Sequence, residues 1–85
     1  MSTEDMELVK GFLRAVESGG EFTKELFEQR YFNDLAQRGV SEKPEVSKLW
    51  IEHYWSGLSA VGLERLRRAR TNEKLAELLA GALGK

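Results

Sequence analysis

The sequence predicts an all-α fold: a small bundle of four helices, or five if the last segment divides, in a single domain over residues 1–85. Three observations carry this. Apolar residues recur at intervals of three and four along most of the chain, the period of a helix stripe. Leu, Glu, Ala, Arg and Lys are common, all good helix formers, and proline occurs once. No run alternates apolar with polar residues, and no Asn-Gly or Asp-Gly pair offers a hairpin turn.

The first helix is expected over residues 3–18. Met6, Val9, Phe12, Leu13 and Val16 form its apolar stripe. Ser2 or Thr3 can cap it, Glu4, Asp5 and Glu7 suit its positive end, and Gly19-Gly20 stops it. Gly11 weakens its middle by about 1 kcal/mol against alanine, and its small size suits a close helix contact. The second helix is expected over residues 24–38. Thr23 is its N-cap, and Phe22 and Phe27 take the positions of a hydrophobic staple. Leu26, Phe27, Tyr31 and Leu35 face one way. Gly39 then falls where a left-handed C′ residue belongs, with Val40 at C″.

The third helix starts at Pro44, tolerated in a first turn, and runs to about Leu58. Its apolar residues do not keep to one face. Leu49, Trp50 and Ile51 are consecutive and spread over about 200°. Such a helix is central in its domain or half buried in a partner. Beyond it, Gly57 and Gly62 loosen the chain and Ser59 can cap a new start. Leu63, Leu66 and Ala69 lead to a second cap at Thr71-Asn72, then to Leu75, Leu78, Leu79, Ala82 and Leu83. This stretch is either one helix bent at Thr71 or two short ones.

Composition excludes several functions. Hydrophobic residues at 41% are too many for a disordered chain. There is no cysteine, so disulfides and thiolate chemistry are ruled out, and a cytoplasmic location is expected. The first residues lack the basic and apolar regions of a signal peptide, and no apolar run reaches the roughly 18 residues of a spanning helix, so no membrane contact is expected.

His53 is the sole histidine. The residues three and four places away are Leu49, Trp50, Ser56 and Gly57, none a carboxylate that could orient it as a base. It reads as a structural or solvent-facing side chain. No Glu-x-x-His or His-Glu-x-x-His occurs, so no metal is expected. No Gly-x-Ser-x-Gly and no phosphate-binding loop occurs either. The expectation is therefore a non-enzyme with no cofactor and no small-molecule substrate.

Charge is unevenly spread. Residues 1–29 hold seven acids and three bases, and residues 64–85 hold three acids and six bases, so the two ends should attract each other, either within one chain or between two chains. Arg65, Arg67, Arg68 and Arg70 crowd into six residues. They suit a nucleic-acid-binding regulator as an alternative function, because arginines grip phosphates. The net charge of −1 favours a protein contact or a solvated face instead. Leu35 to Ser41 followed by Val46-Ser47 resembles the turn of repressor-type DNA-binding proteins. Here the glycine comes one residue early, Ser41 stands where an apolar residue is the rule, and Glu42, Glu45 and Glu52 would repel phosphates. A helix C-cap followed by a helix start explains the same residues.

The aromatic group Trp50, Tyr54 and Trp55 is the remaining signal. Trp50 and Tyr54 share a face, while Trp55 points about 100° from Tyr54. A chain of this size buries only roughly 60% of its unfolded surface. One core should struggle to cover both directions, so one side of the helix should meet a partner. Ile51, Trp55 and Leu58 are the expected apolar contact, and Arg65, Arg67, Arg68 and Arg70 the charged rim. The expected function is a small adaptor, inhibitor or regulatory subunit, with a second copy of the chain as partner in a homodimer.

Overall fold

Local chemistry sets where each helix begins and ends. In the computed structural model, residues 3–69 and 71–83 are described. They form α1 (Thr3–Glu17), α2 (Lys24–Arg38), α3 (Pro44–Val61), α4 (Leu63–Arg68) and α5 (Asn72–Leu83), with no strand among the described residues. The fold is an all-α bundle. The candidate cap Ser2 lies outside the described residues.

Helix α1 ends in a Schellman turn. Gly19 has φ 113°, its N–H donates to Val16, and the N–H of Gly20 reaches back to Ala15 at 3.0 Å. A Cβ on Gly20 would sit 2.7 Å from the Leu26 side chain and 2.8 Å from the Ala15 carbonyl, so the turn is closed to larger residues. Helix α2 starts at the expected cap, where the Leu26 N–H donates to Thr23 Oγ1 at 3.3 Å. It ends as its sequence dictates: Gly39 is left-handed at φ 67°, and the N–H groups of Gly39 and Val40 donate to Ala36 and Leu35.

Helix α3 is longer than expected. It continues through Gly57 and Ser59 to Val61, so Ser59 caps nothing; its hydroxyl donates within the helix to the Ser56 carbonyl. The break falls at Gly62, whose φ of 90° and ψ of 150° suit glycine alone. The stretch beyond divides into two helices. Thr71 Oγ1 accepts from the Lys74 N–H at 3.1 Å, as an N-cap does for α5.

Packing makes α3 central, as expected: it lies against α2, α4 and α5, while α1 lies against α2. The core is lined by Val9, Phe12 and Val16 of α1, Phe27, Tyr31 and Leu35 of α2, Ile51, Leu58 and Val61 of α3, Leu66 of α4, and Leu75 and Leu79 of α5. Phe12 is its aromatic centre. Its ring lies 5.3 Å from Phe27, 5.7 Å from Phe22 and 6.1 Å from Trp55, edge-on to Phe27 and Trp55. The two staple residues of α2 thus meet on Phe12 and Trp55. At Gly11, an added Cβ would stand 3.6 Å from the Arg30 guanidinium, so α2 sends an arginine over the glycine of α1.

Candidate interaction surface

Two of the residues expected to meet a partner belong to the core, and a third packs against it. Ile51 and Leu58 are each 1% exposed, and Trp55 is half-buried against Phe12 and Phe22. This corrects the expected apolar contact at Ile51 and Leu58, while Trp55 keeps part of its surface exposed. The reason is rotational. Helix α3 carries two apolar stripes, and the bundle closes over the one holding these three residues.

The other stripe faces outward. Val46, Leu49, Trp50 and His53 stand at i, i+3, i+4 and i+7, on one helix face. Val46 is 37% exposed, Trp50 45% and Leu49 71%. His53 is exposed too. Trp50 stacks on Tyr54 with 5.8 Å between centroids and 23° between planes, and meets His53 edge-on at 5.9 Å. Leu78 and Gly81 of α5 border Ala60 and Val61, in the last turn of α3. The stripe occupies the opposite, N-terminal half.

Buried hydroxyls fix the start of this half. Tyr31 donates to Glu42 Oε1 at 2.6 Å, and Ser47 donates to the same oxygen at 2.7 Å. Ser47 is a polar residue buried to 1% exposure, and the carboxylate satisfies it. Burial, then the hydrogen bond and charge of Glu42, push the Tyr31 phenol above its ordinary 10.0, so it stays protonated and donates. These bonds tie α2, the following loop and the first turn of α3 together. Lys24 and Glu52 form a further ion pair between α2 and α3.

Arg65, Arg67 and Arg68 are exposed on α4, and Arg70 lies outside the described residues. Arg65 and Arg68 join Lys74 around a cavity of about 210 Å³ floored by Ala69 and Leu78. Arg68 pairs with Glu64 of its own helix at 3.4 Å, with both side chains about four-fifths exposed, so the pair contributes little. The arginine beside Trp50 is instead Arg38 of α2, which shares a cavity with it. Among the described side chains, no ion pair within the chain joins its two ends. The ion pairs there run within helices or between α2 and α3.

Sequence reasoning missed Val46 and Leu49 as surface residues, and Glu42 as the anchor of Tyr31 and Ser47. The spacing of Val46, Leu49 and Trp50 was the available signal. Among known proteins, no family model, no curated sequence and no solved structure matches this chain.

Proposed function

We propose that the protein is a protein–protein interaction module, not an enzyme, and that it self-associates by packing the outer stripe of α3 against a second copy. One observation carries this reading: the core closes without Val46, Leu49 and Trp50, leaving three large apolar side chains on one helix face. A cytoplasmic location, suited to a cysteine-free chain, belongs to the same proposal.

The charges around the stripe favour a second copy as occupant. Glu45 and His53 lie one turn before and one turn after Leu49, each about 40° from its direction. If two α3 helices pack antiparallel about a two-fold axis at Leu49, each leucine meets its copy. Glu45 of one chain then stands across from His53 of the other, and the contact occurs twice. An acid facing an imidazole is complementary, through a hydrogen bond or an ion pair. Trp50 closes the rim on its stacked Tyr54, a rigid aromatic surface of the kind enriched at interfaces.

Sedimentation equilibrium tests the reading. The wild-type chain should show twice the 9.7 kDa of one copy as concentration rises. Leu49→Arg should sediment as a monomer with its helical circular dichroism intact. A wild-type chain that stays monomeric at high micromolar concentration overturns the proposal. So does a Leu49→Arg variant that dimerises as before.

A further inference from the structure

A second feature lies beside the stripe, in the cleft between the end of α2 and the start of α3. Its cavity, of about 250 Å³, is lined by Tyr31, Asp34, Arg38, Glu42, Trp50 and Tyr54, with Leu8 closing one side. Three aromatic rings and two carboxylates therefore converge on one space.

The charges there are not equivalent. Arg38 is engaged by Asp34, with Nε at 3.0 Å and Nη2 at 2.9 Å from the same carboxylate oxygen. Glu42 is held differently. Both of its hydrogen bonds come from neutral hydroxyls and both land on Oε1, leaving Oε2 without a hydrogen bond among the described residues. The two hydroxyls belong to buried residues, so the carboxylate is positioned from behind. Among the described residues, the lining of the cleft carries two carboxylates, Asp34 and Glu42, against one guanidinium, Arg38, beside the stacked Trp50–Tyr54 pair.

We propose that this cleft binds an organic cation, an alkylated ammonium head group or the ammonium of a lysine side chain, with Glu42 as counter-ion and Trp50 and Tyr54 as π-surface. Electron-rich ring faces attract a poorly hydrated cation, and a nearby carboxylate adds charge pairing. An anion would meet Glu42 with the same sign. A neutral apolar guest would strip water from that carboxylate without replacing it. The inference does not rest on self-association, although Trp50 borders both surfaces.

The test is a titration followed by ¹H–¹⁵N NMR, run on the wild-type chain and on Leu49→Arg, so that a dimer covering Trp50 does not mask the cleft. The probes are choline, its neutral isostere 3,3-dimethyl-1-butanol, and the N-acetyl amides of lysine and trimethyllysine. Choline should move the Trp50 indole N–H saturably, and the neutral isostere should bind about tenfold more weakly or worse. Glu42→Gln keeps an acceptor for Tyr31 and Ser47, so its fold should persist while choline affinity falls about tenfold. Tighter binding of a lysine amide than of choline would assign the cation to a peptide, and the reverse to a small quaternary ammonium. Equal binding of choline and its isostere, an unmoved Trp50 signal in both chains, or an affinity unchanged in Glu42→Gln would each overturn the proposal.

Discussion

Leu49 and Ile51 are two residues apart on α3, yet their truncation to alanine should have opposite signatures. Ile51 is 1% exposed, so Ile51→Ala removes three carbons from a closed core and leaves a cavity, at a cost of about 2–5 kcal/mol. A chain of this length has a total stability of roughly 4–13 kcal/mol, so the variant should be severely weakened or unfolded at 37 °C. Leu49 is 71% exposed, and Leu49→Ala should change monomer stability by no more than about 0.5 kcal/mol. Its effect should appear in association. Complete burial of a leucine side chain is worth about 1.5–3 kcal/mol, and with 71% still to be covered each copy stands to gain about 1–2 kcal/mol. Two copies give about 2–4 kcal/mol, or a dissociation constant raised about 30- to 700-fold. Urea denaturation at low protein concentration reads the first effect, and sedimentation equilibrium the second. A stable Ile51→Ala chain would refute the assignment of the inward face. A Leu49→Ala chain that dimerises as tightly as wild type would refute the outward one.

Two further perturbations separate backbone from side-chain causes. Gly62→Ala should destabilise by about 1–3 kcal/mol in urea unfolding, although a Cβ there meets nothing within 4 Å, because its φ of 90° and ψ of 150° are closed to alanine. A neutral Gly62→Ala would contradict the break between α3 and α4. Tyr31 should make the protein sensitive to alkali. Its phenol is held above the ordinary 10.0, so its contribution is fully present below pH 10 and is lost as pH rises beyond it, where the unfolded chain sheds a proton the native chain keeps. Between about pH 10 and about pH 11, wild type should lose up to about 1.4 kcal/mol more than Tyr31→Phe, read from paired urea midpoints. Identical slopes for the two proteins would remove the buried Tyr31–Glu42 bond from the description.

Helix boundaries were legible because they are local. Thr23, Gly19-Gly20 and Gly39-Val40 act through hydrogen bonds spanning at most five residues, and each stands where its residue type predicts. Gly62 misled only in company. Gly57 and Ser59 are equally plausible breaks by composition, and α3 passes through both because its apolar residues continue to Val61 against the core. Among the described side chains, no ion pair within the chain joins the acidic and basic ends. Four of the ion pairs there join residues three or four apart on one helix, and Lys24–Glu52 alone among them spans two helices.

By itself, the sequence determined an all-α chain, its caps and the central place of the aromatic helix, because periodicity and capping need no knowledge of neighbours. The orientation of α3 was decided only in the tertiary structure. Both of its stripes are apolar, and the one that turned inward includes a serine where hydrophobicity alone would ask for valine or leucine. Ser47 is tolerated there because Glu42, folded back from the loop and shared with Tyr31, accepts its hydrogen bond. That rotation buries Ile51 and Leu58 and leaves Leu49 and Trp50 outside. A burial preference that rests on a hydrogen bond between separate elements leaves no periodic trace along the chain.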